Sequence, residues 1–255
     1  MKALSLYQDH RTFVHKVDSI TKLIYILAAI LIPAILPGFR PGLVMLAISL
    51  LLLLQARVMR KVIPLIGFSM LVLISVVIIQ GMFHSENREL QFTFAGMHFY
   101  REGLLFSAAI CIRVVNILCA FAILVLTTRP SDLIESLVRQ GLSPHLGYVL
   151  SSVLQIIPQM TATMETITDA QRSRGMETEG SLLVRIKAFL PLIGPVVMNS
   201  LISTRERSLA LEVRAFSSRA QKTFLNEEQR SGVDRLLKIG LVLAMLAAIV
   251  WRVMA

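Results

Sequence analysis

Between Ile63 and Phe83, and again between Gly103 and Leu126, the chain runs the length of a membrane crossing with almost no formal charge. A spanning helix needs about 20 mostly apolar residues, since inside a bilayer every backbone amide and carbonyl must pair within the segment itself. A soluble fold would have to bury both runs on all sides, which 255 residues with a mean hydropathy of +0.69 and only 16% charged side chains do not favour. The chain reads as a polytopic membrane protein.

Three more segments join these two. Leu23–Leu36 and Leu43–Ala56 are apolar but short, and PGFRPG between them favours a tight turn, so they predict a hairpin of helices. Leu236–Val253 supplies a span at the C-terminal end. The expected fold is all-α, with about five transmembrane helices: four in residues 1–128, a cytoplasmic or interfacial helical region over 129–232, and a last helix in 233–255. The stretch HSENRELQFTFAGMHFYRE before the fourth span can hold a short hairpin or an interfacial segment. The N-terminal stretch is polar for too long to be a secretory signal, so the first apolar run is expected to be retained.

Basic residues set the orientation. With the N-terminus cytoplasmic, Lys2, Arg11, Lys16, Lys22, Arg57, Arg60, Lys61 and the basic residues from Arg129 to Lys238 lie inside, and only Arg40, Arg88, Arg101 and Arg252 face out. This topology accounts for the net charge of +10. Nucleic acid does not, because no zinc, helix-turn-helix or phosphate-binding pattern accompanies the charge. Cys111 and Cys119 sit in one apolar run and read as small buried hydrophobes.

From residue 131 to 231 the chain is rich in helix formers. Ser131 and Asp132 are placed to cap a helix that runs to Arg139 and ends at Gly141. Next, SPHLGYVLSSVLQIIPQMTATMETITDAQRSRG opens apolar, kinks or restarts at Pro158, and turns polar toward Gly175. The unit AFLPLIGPVVMNSLISTRERSLALEVRAF repeats that plan, with Pro191 and Pro195 ahead of an amphipathic helix. The apolar halves near Ile156 and Val196 are expected to pack on each other and dip toward the bilayer.

Each unit ends on an arginine among small residues and before a large apolar one. The first is Ser173, Arg174, Gly175, Met176; the second is Val213, Arg214, Ala215, Phe216. A planar guanidinium with such clearance can enter a narrow groove and pair bidentately with a carboxylate, while Met176 and Phe216 fill an adjoining apolar pocket. The plainer alternative is that each arginine complements a helix dipole or touches lipid phosphate.

Other polar residues carry weaker signals. Arg113 and Asn116 lie inside the fourth span, where a charge is costly; they read as an interhelical hydrogen-bonding pair, or as a polar anchor for a partner. Asp18 and Lys22, spaced i, i+4 at the mouth of the first span, suggest a local ion pair that, with His15, sets how the span enters the membrane. His10, His15, His84, His98 and His145 are scattered without metal-ligand spacing, so no metal site is expected. Neither a nucleophile elbow nor a nucleotide-binding loop occurs.

Taken together and in order, VHKVDSITKL with His15, Asp18 and Lys22, then TTRPSDLIESL, then GLSPHLGYVLSSVLQIIPQM, the Arg174 motif and LEVRAF, the chain resembles the transmembrane T component of energy-coupling factor (ECF) importers. That family includes cobalt-type and biotin-type permease subunits. The resemblance implies a non-catalytic protein of the bacterial or archaeal inner membrane with a cytoplasmic helical coupling domain. It implies two ABC-type ATPases as partners, identical or different, which themselves hold the ATP, and a small membrane S component that captures a vitamin or transition-metal ion. Arg174 and Arg214 would each dock in one ATPase. Ser173 stands where alanine is usual, and Val213-Arg214-Ala215 lacks the common final glycine, so the second contact is expected to be looser or to suit a different ATPase.

Two other readings stay open on the residues alone. One is a conventional ABC permease that forms its own solute pathway as a homodimer. The other is a polytopic membrane enzyme using His84, Glu86, Glu89, His98 and Glu102.

Overall fold

Turn chemistry and apolar run length lay the chain out as nine helices and one small hairpin of strands among the described residues. The computed structural model describes residues 12–36, 38–83, 90–94, 97–176, 181–218, 224 and 232–254. In order these are α1 (Phe13–Lys16), α2 (Ser19–Ile35), α3 (Arg40–Ala56), α4 (Met59–Phe83), β1 (Leu90–Phe94), β2 (Met97–Tyr100), α5 (Arg101–Thr127), α6 (Pro130–Arg139), α7 (Pro144–Ser173), α8 (Leu182–Val213) and α9 (Gly232–Met254). They fall into two compact units, Ser5–Leu137 with Glu228–Ala255, and Val138–Glu227.

In the first unit α4, α5 and α9 are long and apolar enough to cross a membrane, while α2 and α3 have 17 residues each. At 1.5 Å rise the shorter pair reaches about 26 Å, just under a hydrocarbon core of about 30 Å. Pro41 enters the first turn of α3, where its missing N–H leaves no orphan, so part of the expected turn is helix. The remaining bend is made at Gly38, whose φ of +90° a side chain would resist.

α5 is the axis, with α2, α3 and α4 packed on it and α9 packed on α2. The crossings are made by small side chains, Ala28, Ala29, Ala56 and Ala120, around Leu53, Val62, Cys119 and Ile123. Small residues let helix backbones approach closely where lipid offers no hydrophobic drive. The cysteines are both free, Cys119 buried and Cys111 partly so.

A polar network closes the centre. Asn116, fully buried, donates from Nδ2 to the Ala29 carbonyl at 2.8 Å and accepts from Ser49 Oγ at 2.8 Å, while Ser49 shares a 2.7 Å hydrogen bond with Tyr25. One amide thus ties α5 to both α2 and α3.

The all-α expectation needs one amendment. Leu90–Phe94 and Met97–Tyr100 pair as antiparallel strands, with Phe92 opposite Phe99 and Phe94 opposite Met97. Buried Phe99 lies where Gly81 of α4 leaves room: a Cβ there would stand 3.0 Å from its ring. Period-two apolar residues between turn formers pair locally as strands even beside long helices.

In the second unit α7 and α8 pack on each other, with Ile156, Met160 and Val196 lining a cavity between them. Of the two expectations for Pro158, a kink or a restart, the restart does not occur, since α7 continues through it, and Pro191 and Pro195 lie inside α8 rather than ahead of it. Among small polar groups at the crossing, Arg207 Nη2 donates to Gln159 Oε1 at 2.7 Å.

Candidate functional site

The ends of α7 and α8 are built alike. Arg174 caps α7 at φ −89°, ψ 8°, and Arg214 caps α8 at φ −83°, ψ 9°. The next residue turns left-handed in both, Gly175 at φ +87° and Ala215 at φ +54°. Gly175 N–H donates to Arg172 O at 2.9 Å and Met176 N–H to Gln171 O at 3.1 Å; Ala215 N–H donates to Glu212 O at 2.9 Å and Phe216 N–H to Leu211 O at 3.0 Å. These are the two bonds of a Schellman cap, made twice.

That cap explains the residue types. The third motif position is small because the backbone is left-handed there, not because anything crowds it: a Cβ on Gly175 would meet no atom within 4 Å. Ala215 adopts the same conformation at some strain. The cap also folds the following apolar residue back, so Met176 and Phe216 are half-buried while Ser173, Arg174, Gly175, Val213, Arg214 and Ala215 are exposed. Among the described residues the guanidinium of neither Arg174 nor Arg214 has a hydrogen-bond or ion-pair partner.

Phe216 sits on its own chain. Its ring centroid lies 5.3 Å from that of His145 and 5.4 Å from that of Tyr148, both in the first turns of α7. Tilted aromatic pairs at this spacing are favourable. The contact also sets a length: Arg214 stands beside the start of α7 and Arg174 at its far end, so the rise of α7 separates the two arginines by on the order of 40 Å. His145 and Tyr148, three residues apart on one helical face, were the sequence signal for this seat.

The N-terminal pattern forms a separate polar cluster in the first unit, with different pairings from those expected. Asp18 caps α2 by accepting from Ile20 N–H at 3.3 Å, pairs with Lys238 of α9, and accepts from Ser136 Oγ of α6 at 3.4 Å. Its own N–H donates to Asp234 Oδ1 at 3.4 Å. Lys22 does not pair with Asp18. It is buried, and donates to Thr127 O and Thr128 Oγ1, both at 3.1 Å, placing a cation on the carbonyl end of α5 where the helix dipole favours it. His15 shares a 2.7 Å bond with Thr12 and closes the turn of α1.

Two more expectations change on α6. Pro130 takes the first helical position, so Ser131 and Asp132 lie in the first turn rather than capping it, and Asp132 N–H bonds back to Arg129 O at 3.0 Å. Burial pushes the Asp132 carboxyl above the usual range, partly opposed by Arg129. Gly141 ends the helix as expected, at φ +115°.

Arg113 and Asn116 are separated by the fold: Asn116 joins the buried network, and Arg113 has no partner among the described residues. No group of three metal-ligating side chains occurs among the described residues. His10, His84, Glu86 and Glu89 lie outside them, as do Lys2, Arg11 and Arg88, while His98 and Glu102 fall on β2 and the first turn of α5.

These features define a polytopic helical membrane protein that carries a helical pair with two matched, cation-tipped ends. Residues 10–224 match the family described as CbiQ, Cobalt transport protein, and the chain belongs to it. Relatives named energy-coupling factor transporter transmembrane protein EcfT include one from Lactococcus lactis subsp. cremoris, 26% identical over 94% of each chain. Another, from Clostridium kluyveri, is 28% identical over 89% of this chain and 88% of its own, and one from Brevibacillus brevis is 23% identical over 98% of both. Membership makes this chain a transport subunit, not an enzyme.

Proposed function

We infer that this chain is the membrane-coupling subunit of an ECF-type importer, bridging two ABC-type ATPases and a substrate-capturing S component. The observation that carries the reading is the pair of matched caps, each presenting an exposed, unpaired guanidinium at the C-terminal end of a long helix, Arg174 on α7 and Arg214 on α8. Separation on the order of 40 Å suits two motor subunits rather than one groove. An unpaired arginine held at a rigid helix end is preorganised for a bidentate carboxylate.

The mechanism then follows from rigid elements. When ATP binding brings the two motors together, Arg174 and Arg214 are drawn along with them, and α7 shifts against α8. Their crossing is lined by Gln159, Thr163, Asn199, Ser200, Ser203 and Thr204, and the hydroxyls of Ser200 and Thr204 bond to carbonyls of α8 itself, so those two do not tie the helices together. Discrete movement of packed helices is a form in which such work is transmitted. The solute, a vitamin or a transition-metal ion, is selected by the S component.

Basic residues support a cytoplasmic N-terminus in the cell membrane. The bundle end where α2 starts and α5 finishes holds Lys22, Arg57, Arg60, Lys61, Arg129 and Lys238, against Arg40, Arg101 and Arg252 at the other.

Arg174→Ala and Arg214→Ala, alone and together, test the reading. Each single change should reduce co-purified ATPase, and the double change should abolish uptake with the chain still folded in the membrane. Undiminished uptake by the double variant would refute it.

A further inference from the structure

Arg113 stands twelve residues in from Arg101 and fourteen short of Thr127 on α5, so about 18 Å and 21 Å of helix separate it from the two ends. That is mid-bilayer depth. A cation there is expensive, and such residues ordinarily face a counter-charge, a backbone carbonyl or a water-filled cavity. Among the described residues its guanidinium has no hydrogen bond or ion pair. The hydroxyls of Ser69 and Ser75 on neighbouring α4 are bonded to carbonyls of their own helix, Ile66 at 2.8 Å and Val72 at 2.7 Å.

Its surroundings on α5 are equally specific. Phe106, Ile110, Arg113, Ile117 and Phe121 follow the spacing of one helical face, and Arg113 is the one polar member. Phe106 is 44% and Phe121 46% exposed, whereas Asn116, Cys119 and Ile123 on the adjoining face are buried in the bundle. The stripe is therefore exposed at its two aromatic ends and half-buried at Ile110, Arg113 and Ile117, with one uncompensated cation at its middle. Lipid tails fit the aromatic positions but not the guanidinium, and headgroups lie too far away.

We propose that this stripe of α5 docks a transmembrane helix of the substrate-capturing membrane subunit, and that an acidic side chain of that helix at mid-bilayer depth pairs with Arg113. The proposal rests on the coupling reading above. A carboxylate is the group that both neutralises the charge and matches the guanidinium bidentately in a medium without water. Phe106 and Phe121, flanking it, exclude lipid from the pair. The contact would fix the depth and rotation of the partner helix.

The test is made on the assembled complex, with the chain co-expressed with its ATPases and membrane subunit, extracted in detergent, and each partner quantified. Arg113→Leu should lower retained membrane subunit at least tenfold with ATPase retention unchanged, and Arg113→Lys should keep most of it. Ile117→Trp, which leaves the cation in place, should displace the same subunit by sterics. Neutralising each Asp or Glu within the partner's spans in turn should reveal one whose loss matches Arg113→Leu and adds nothing to it. Full retention by Arg113→Leu, loss of both kinds of partner together, or no matching carboxylate would each overturn the proposal. So would a disulfide between two copies through Ile117→Cys, which would assign the stripe to self-association. If the unaltered chain retained no ATPase and no membrane subunit, it is the coupling reading that would fail.

Discussion

The membrane bundle and the α7/α8 pair treat polar side chains in opposite ways. In the bundle Tyr25, Ser49 and Asn116 satisfy one another, Lys22 is spent on the end of α5, and Asp18 is held by α2, α6 and α9. In the α7/α8 pair Arg174 and Arg214 are held at helix ends and left unpaired. The contrast teaches where each region interacts. Polar groups consumed internally hold a shape, whereas polar groups presented by a rigid cap await a partner. Arg113 is the exception that belongs in position to the first region and in pairing to the second.

Breaking the contrast from the outward side should have the largest effect. The Arg174→Ala, Arg214→Ala double variant should lose uptake while its thermal unfolding in detergent stays within about 0.5 kcal/mol of the parent, as for surface changes generally. Asn116→Leu should do the reverse. It leaves the Ala29 carbonyl without the Asn116 amide and takes one of the partners of Ser49 Oγ, which keeps Tyr25 and the Met45 carbonyl, and should cost about 1–2 kcal/mol of bundle stability without touching either cap; unchanged unfolding would show the network to be idle.

The caps offer a finer comparison. Gly175→Val forces a β-branched residue to φ +87° and should fray the α7 cap by about 1–2 kcal/mol, while Ala215→Gly should tighten the α8 cap by about 0.5–1 kcal/mol. Hydrogen exchange at the Met176 and Phe216 amides reads both directly. Opposite signs at the two sites are the expected result, and the same sign would contradict the shared geometry.

The smallest effect concerns Asp132. Its carboxyl is raised by burial, so the folded chain binds the proton more tightly than the unfolded one, and this residue's contribution falls as pH rises past the usual carboxylate range. Asp132→Asn should remove that component and flatten the pH dependence of unfolding slightly. A steeper dependence in the variant would reverse the assignment.

Much of this organisation could be read from local pattern. The long apolar runs announced α4, α5 and α9, Gly141 marked the end of α6, and the paired arginine motifs marked the ends of α7 and α8. The role of Gly175 was visible only as a small residue, because a left-handed φ is a property of the folded cap. Prolines marked no helix boundary in α8, where Pro191 and Pro195 lie inside the helix, and no restart at Pro158 of α7. The i, i+4 spacing of Asp18 and Lys22 suggested a pair that longer contacts replaced.

Hydropathy, turn chemistry and motif order are written in consecutive residues, and they sufficed to specify a membrane protein with two matched arginine-ended helices. Pairings between distant residues are of another kind. Lys238 reaching Asp18, Thr127 receiving Lys22, Asn116 binding Ala29 and Phe216 resting on His145 depend on which helices become neighbours, and spacing along the chain does not encode that. Many weak packing contacts select those neighbours together, so the polar partners emerge only once the helices have met.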